Sequence, residues 1–116
     1  MTQSAIFQFE DQTGWESAGN GVTRQVFGYD GRIMLVKARF EKGGVGDLHS
    51  HPHSQVTYVD SGEFEMTIGG EKRIIRKGDG YYVPPGVLHG CVCLREGMLI
   101  DAFSPLREDF LRPPQS

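Results

Sequence analysis

Cysteine is scarce in this sequence of 116 residues, and its two cysteines, Cys91 and Cys93, are separated by a single residue. That spacing would strain a disulfide between them, so we expect no bridge. The N-terminus lacks a basic segment followed by an apolar stretch, and no run of about 18 apolar residues occurs. The sequence therefore predicts a protein of the reducing cytoplasm, without a signal peptide or a membrane span.

Basic residues are also few, because 12 Lys and Arg stand against 15 Asp and Glu, for a net charge of −3. With no basic run, the composition argues against nucleic acid as a partner. The length predicts one domain that can bury a real core. An acidic protein that binds an acidic ligand must supply positive charge locally, and a metal ion or an arginine can provide it.

Glycine and proline are abundant, with 16 and 6 residues, and they divide the chain into short segments that alternate apolar and polar residues. Ser61-Gly62 and Glu96-Gly97 are among the predicted turns. Many short strands at close spacing predict an all-β sandwich or barrel. Only residues 105–111 are expected to be helical, for a turn or two. The predicted strands cover residues 22–27, 33–40, 56–59, 63–68, 71–76, 81–83, 89–94 and 98–103.

The chain is expected to divide into three unequal parts. Residues 1–20 show no clear pattern and are predicted to form an extra strand, which packs on the barrel or is exchanged with a partner subunit. Residues 21–111 form the predicted single-domain barrel. Residues 112–116 are expected to be a frayed tail.

Histidines at metal-ligand spacing are the strongest feature of the sequence. His49 and His51 lie two residues apart, so on a strand they face the same side. Gln55 shares their parity, although Pro52 between them marks a strand break or bulge. His89 follows on a separate segment that could close a site from across the barrel. Imidazoles with an amide oxygen suit Zn, Ni, Fe, Mn or Cu, so these residues predict a divalent-metal site.

Three further residues could face the same site. His53 has inward parity, but it follows Pro52 at the predicted break, so a loop role is favoured over a ligand role. Cys91 and Cys93 share parity with His89. Free cysteine is commonly a small buried hydrophobe, and a thiolate ligand is the alternative.

The last strand supplies candidate reacting groups. Asp101 and Phe103 share one parity, and an exposed Asp beside an exposed Phe is less favourable than a pair that lines a cavity. Arg107 follows where the chain leaves the strand. Its guanidinium could pair with a substrate carboxylate, or it could form a surface ion pair with Glu108 or Asp109.

Two motifs in this chain resemble those of the cupins. The first, G-x5-HxH-x3-E-x6-G, is matched over residues 43–62 with Gln55 in place of Glu. The second, G-x5-PxG-x2-H-x3-N, is matched over residues 78–93 with Cys93 in place of Asn. The resemblance implies a jelly-roll-like β-barrel with a metal in its mouth. Carried over residue by residue, it implies the ligands His49, His51, Gln55 and His89.

Three segments, LHSHPHSQVTYVDSGEFEMTIGG, VPPGVLHGCVCLREG and LIDAFSPLREDFL, closely resemble the KdgF family of pectin and alginate breakdown. The resemblance implies an isomerase-type enzyme that converts 4,5-unsaturated monouronates to linear 4-deoxy-5-keto uronates. It implies Asp101 as the catalytic group, with Phe103 and Arg107 binding substrate. It also implies a divalent metal (Ni, Zn, Mn or Fe) and a homodimer.

Two other classes compete with this hypothesis. A cupin-type metal-dependent dioxygenase would need iron or copper, and Gln55 removes the carboxylate of the two-His-one-carboxylate pattern that such iron sites share. A non-enzymatic sugar-binding cupin would need a partner domain to pass on its signal. The sequence leaves open which metal is native and which unsaturated uronate is preferred.

Overall fold

The computed structural model describes residues 2–111 as a single antiparallel β-sheet that carries one short α-helix. The all-β prediction is confirmed. A 3-10 helix, Glu10–Gln12, precedes the first strand. The strands are β1 (Glu16–Gly19), β2 (Val22–Tyr29), β3 (Met34–Phe40), β4 (Val45–His49), β5 (Ser54–Ile68), β6 (Glu71–Arg76), β7 (Gly80–Val83) and β8 (His89–Ser104), and the helix is α1 (Glu108–Leu111).

Two long strands, β5 and β8, organise the sheet. The strand order is β1-β2-β3-β8-β5-β6, and β5 pairs with β8 along nearly its whole length. The first part of β8 also pairs with β4 and its later part with β3. Likewise, the first part of β5 pairs with β7 and its later part with β6. Each long strand therefore belongs to two regions of the sheet, and their shared middle lines the interior.

The predicted turns at Ser61-Gly62 and Glu96-Gly97 are wrong, because β5 and β8 run through both positions. The pairing of the two strands instead shifts register between Val59 and Phe64. A side chain on Gly97 would place its Cβ 2.6 Å from the Cα of Gly62. These glycines permit two backbones to approach closely in a bulge, and they do not reverse the chain.

Apolar side chains pack into two clusters on the inner face. The larger cluster contains Val22, Ala38, Phe40, Val59, Phe64, Met66, Cys91, Cys93 and Leu99. The smaller contains Met34, Val36, Phe103 and Leu106. Members of both clusters line one cavity, so the core on either side supports the cavity walls.

The N-terminal segment lies against β2 of its own chain. β1 pairs with β2, and the Ser4 amide donates to the Tyr29 carbonyl at 2.9 Å. The buried Gln25 amide donates to the carbonyls of Glu10 and Thr13, at 2.9 and 2.8 Å. Exchange with a partner and the homodimer stay predictions. The predicted tail, 112–116, lies outside the described residues.

Within residues 2–111, no helix has the length and apolar character needed to cross a membrane.

Candidate metal centre and active site

The four predicted ligands come from three strands and one loop. His49 ends β4 and is paired directly with His89, the first residue of β8. His51 lies in the connection to β5, where its carbonyl accepts from the Gly86 amide at 2.8 Å. Gln55 is the second residue of β5. Strand pairing and one loop contact thus bring distant histidines to the same end of the barrel.

The three imidazoles converge. The ligand atoms of His49, His51 and His89 lie within 4.8 Å of one another. The His49 and His89 rings are 4.4 Å apart by centroid, and the His51 and His89 rings 4.9 Å. His51 and His89 are buried while His49 is exposed, so the cluster opens to solvent on one side. Neither Cys91 nor His53 belongs to the cluster.

Backbone carbonyls fix the tautomer of every histidine in the cluster. Each Nδ1 lies within hydrogen-bond distance of a carbonyl oxygen two residues away in the chain. The partners are Asp47 O for His49 (2.7 Å), His53 O for His51 (3.1 Å) and Val87 O for His89 (2.9 Å). A carbonyl can only accept, so Nδ1 carries the proton and Nε2 presents a lone pair. Metal-bound histidines are commonly oriented in this way.

The donor set fits a divalent cation. Nε2 of His51 lies 3.0 Å from Oε1 of Gln55, and both atoms present lone pairs. Nε2 of His89 is buried and has no hydrogen-bond partner in the described chain. Burial lowers the pKa of His51 and of His89, which keeps both imidazoles neutral. A cation bound among these atoms would satisfy lone pairs that otherwise repel or stay unpaired.

A buried polar network holds Gln55 from its other end. Its Nε2 donates to Oγ1 of Thr57 at 3.0 Å and approaches Oδ1 of Asp101 at 3.4 Å. Thr57 Oγ1 donates to the same Asp101 oxygen at 2.6 Å. The carboxylate accepts only, so the amino end of Gln55 must face it and the carbonyl end must face the histidines.

Asp101 lies on the inner face of β8, directly opposite Thr57 on β5. Burial raises the pKa of Asp101 to about 6, against the lowering effects of the Thr57 hydrogen bond and the Arg107 charge. The structure thus places this carboxylate in the interior, as its parity with Phe103 predicted. A carboxyl group whose pKa lies near neutrality can both accept and return a proton.

Arg107 both forms an ion pair with a neighbouring carboxylate and lines the cavity. Its Nε and Nη2 bind Asp109, at 3.0 and 2.8 Å, as the ion-pair alternative predicted. Yet Arg107 lines the cavity together with Phe103, and its guanidinium carbon lies 4.2 Å from the centre of the Phe110 ring. The arginine is therefore paired and also presented to the interior.

The cavity has a volume of about 350 Å³ and is lined by His49, Gln55, His89, Asp101, Phe103 and Arg107, among others. A larger hollow of about 510 Å³ lies along β6 and β7, and no histidine lines it. The residues that line the smaller cavity, and not its volume, therefore identify it as the candidate site. Ligand pockets commonly measure roughly 300–1,000 Å³, so the smaller cavity has room for a small ligand.

Three residues of the site were not predicted. Thr57 and Tyr81 face each other across β5 and β7, and Arg24 enters the cavity from β2. Burial, and to a lesser degree the Asp101 charge, raises the pKa of Tyr81 well above its usual value. Only Thr57 had a usable signal, because it shares the parity of Gln55 on the same strand.

The remaining candidates lie outside the histidine cluster, although the buried Nδ1 of His53 has no hydrogen-bond partner in the described chain. His53 lies behind His51, with ring centres 5.4 Å apart, and contributes its backbone carbonyl to the site. Burial raises the pKa of the Cys91 thiol to about 12. Cys93 lies in the larger apolar cluster beside it. Both cysteines are free, as their spacing predicted.

The model of the Cupin domain family matches residues 36–100, which include all four predicted ligands. A curated protein of Dickeya dadantii (strain 3937), the pectin degradation protein KdgF, is 45% identical over 104 residues, 88% of this chain and 94% of that protein. The chain is a cupin and belongs to the KdgF family.

Solved structures agree with this cupin over nearly its whole length. An RmlC-like cupin from Shewanella frigidimarina is 48% identical, with a TM-score of 0.91 over 95% of this chain and 99% of that one. KdgF from Halomonas sp. is 34% identical, with a TM-score of 0.87 over 92% of this chain and 99% of that one. The expected cupin fold is confirmed.

Proposed function

We propose that this cupin converts 4,5-unsaturated monouronates to linear 4-deoxy-5-keto uronates. Its similarity to a pectin degradation protein supports a function in pectin breakdown. The observation that carries the reaction is the position of Asp101. A buried carboxylate, its pKa raised by burial to about 6, shares one cavity with a histidine cluster and an arginine.

The metal-binding residues in this proposal are His49, His51, Gln55 and His89. Their neutral lone pairs and the unpartnered His89 nitrogen favour a divalent ion. When bound, such an ion would supply positive charge for the substrate carboxylate and for enolate oxygen. Gln55 contributes no negative charge, so the ion would keep more of its own.

Asp101 is the proposed proton carrier. Its carboxylate removes the proton from the C1 hydroxyl of the cyclic substrate. The bond between C1 and the ring oxygen then breaks, which gives an aldehyde at C1 and an enolate at C5. Protonated Asp101 returns the proton to C4, and the C5 ketone forms. The proton is conserved, so the reaction is an isomerisation and needs no redox partner.

Arg107 and Phe103 are the proposed substrate-binding residues. The guanidinium would bind the uronate carboxylate through the N–H groups that Asp109 leaves free. Phe103 is buried next to the site, with its ring 5.7 Å from that of His51. It would pack on the sugar and exclude water from the carbon that is protonated.

Turnover of purified unsaturated monouronates tests the proposal. The enol ether of the substrate absorbs in the ultraviolet, so its loss follows the reaction. We expect wild-type protein to speed this loss, chelator to stop it, and added divalent metal to restore it. Binding of the sugar without turnover would favour the non-enzymatic alternative. Oxygen consumption in step with the reaction would favour a dioxygenase.

A further inference from the structure

Thr57 is the residue through which the proposed metal ligand and the proposed proton carrier are joined. It is 2% exposed and lies on β5 between two cross-strand neighbours, Tyr81 on β7 and Asp101 on β8. Its hydroxyl is 3.0 Å from Nε2 of Gln55 and 2.6 Å from Oδ1 of Asp101. Gln55 and Asp101 belong to the proposed site, and the Tyr81 side chain also hydrogen-bonds with Thr57.

The hydrogen-bond inventory of this hydroxyl permits only one arrangement beside an ionised Asp101. The Gln55 amino group can only donate, so Thr57 Oγ1 accepts from it. The single proton of Thr57 is then free for Asp101, whose carboxylate only accepts. Each group is satisfied, and reversing the Gln55 amide would leave Thr57 and Asp101 facing an acceptor.

We infer that Thr57 is a positioning residue, which turns the carbonyl oxygen of Gln55 toward the histidines and orients the Asp101 carboxylate in the cavity. Without the hydroxyl, the Gln55 amino group would keep only its 3.4 Å approach to Asp101, so the amide would be held less firmly toward the metal position. Asp101 would lose its shortest hydrogen bond. The kinetic consequence rests on the proposed function, whereas the consequence for metal affinity does not.

Two pairs of proteins distinguish the effect of the Thr57 hydroxyl from the effect of side-chain volume. Wild type and Thr57→Val differ by a hydroxyl replaced with a methyl group. Thr57→Ser and Thr57→Ala differ by one oxygen atom, and this second pair decides the question if the valine variant does not fold. Thr67→Val is the matched control, because Thr67 lies on the same strand and outside the cavity lining.

The first measurement is the affinity of metal-free protein for Zn²⁺ and Ni²⁺, by competition with a chromophoric chelator. The second is kcat and KM on the unsaturated uronate. Loss of a group that supports a metal ligand commonly costs about 10–100-fold in affinity or activity. We expect Val and Ala to show losses of that size in affinity and in kcat. KM should change little because Arg107 is untouched, and Ser and the Thr67 control should stay near wild type.

Equal metal affinity and equal kcat across the Ser and Ala pair would overturn the inference. So would a serine variant as impaired as the alanine variant, because packing would then explain the loss. If wild type fails to turn over the uronate, the proposed function fails by itself. In that case the affinities of the two pairs still decide whether Thr57 positions Gln55.

Discussion

Arg107 and Asp109 form a two-pronged ion pair, with Nε 3.0 Å from Oδ1 and Nη2 2.8 Å from Oδ2. The arginine side chain is 12% exposed and the aspartate side chain 49%, and both residues line the cavity. One edge of the fork is filled, and Nη1 together with one Nη2 hydrogen stays available. The ion pair therefore leaves N–H groups of Arg107 free for its proposed role in binding the uronate carboxylate.

Arg107→Ala should raise KM about ten- to a hundredfold, because a hydrogen bond to a charged group contributes roughly 1.5–3 kcal/mol. Arg107→Lys should restore only part of the loss, since lysine cannot form a fork. Steady-state kinetics on the unsaturated uronate measure both. Glu108→Ala is the control, because Glu108 is exposed beside the arginine. A KM for the alanine variant equal to that of wild type would leave Arg107 only its ion-pair role.

Asp101→Asn should fold and retain metal, because the asparagine carbonyl can still accept from Thr57 and Gln55. It cannot take up and return a proton, so kcat should fall by about two to four orders of magnitude. Metal content, thermal midpoint and turnover should come from one preparation. Turnover within a few-fold of wild type, with the metal in place, would mean that another group carries the proton.

His89→Ala should remove most bound metal, because it deletes a nitrogen whose lone pair has no other partner in the described chain. His53→Ala is the matched control. That histidine lies behind His51, and the variant keeps the backbone carbonyl that accepts from His51 Nδ1. The measurement is the metal-to-protein ratio after reconstitution and desalting. Equal metal loss in both variants would show that general disruption, and not a missing ligand, is responsible.

The sequence predicted the site more accurately than it predicted the bounds of the strands that form it. Period-two alternation pointed correctly to an inward Asp101. The histidines converge as predicted, but not because they share one strand, since β4 ends at His49 and His51 lies in the loop that follows. The turns predicted at Gly62 and Gly97 are wrong, because a glycine in a β-bulge and a glycine in a turn leave the same local sequence pattern. Their packing against each other is a contact between distant strands, which alternation along one strand does not encode.

Gly97→Ala should therefore destabilise the protein far more than an ordinary glycine substitution. Its new Cβ would meet Gly62 Cα at 2.6 Å, and neither backbone can move without disturbing the β5–β8 pairing. Overpacking of this kind costs about 1–3 kcal/mol or more. Gly31→Ala, where nothing lies within 4 Å, should have almost no effect. Thermal unfolding measures both, and equal midpoints would contradict the bulge.

The role of Thr57 in the site could not be predicted from the sequence. The parity of Thr57 with Gln55 indicates only that it faces inward, and its importance depends on Asp101, which is 44 positions away in the chain. From the sequence, the Gln55 amide is notable only for the negative charge that it lacks. The structure gives it a second property, because the same side chain donates a hydrogen bond to Thr57 and points toward Asp101.

Gln55→Glu separates these two properties of the amide. A glutamate would bring a negative charge to the metal, so affinity for a divalent ion should stay equal or rise. The same substitution replaces an amino group with an acceptor, 3.0 Å from Thr57 Oγ1 and 3.4 Å from Asp101 Oδ1. Two carboxylates at that distance disfavour the ionised form of each other. We therefore expect kcat to fall about tenfold or more, part of the 10²–10⁴ that an acid/base group supplies.

Chelator competition for metal affinity and steady-state turnover on the same preparation measure the two effects. Gln12→Glu adds the same charge at an exposed position and should change neither. If Gln55→Glu keeps full kcat while binding metal tightly, donation from the amide is dispensable and the neutral ligand needs another explanation. If affinity and kcat both fall, the glutamate has displaced the ligand cluster, and the His51 and His89 positions must be checked before any role is assigned to charge.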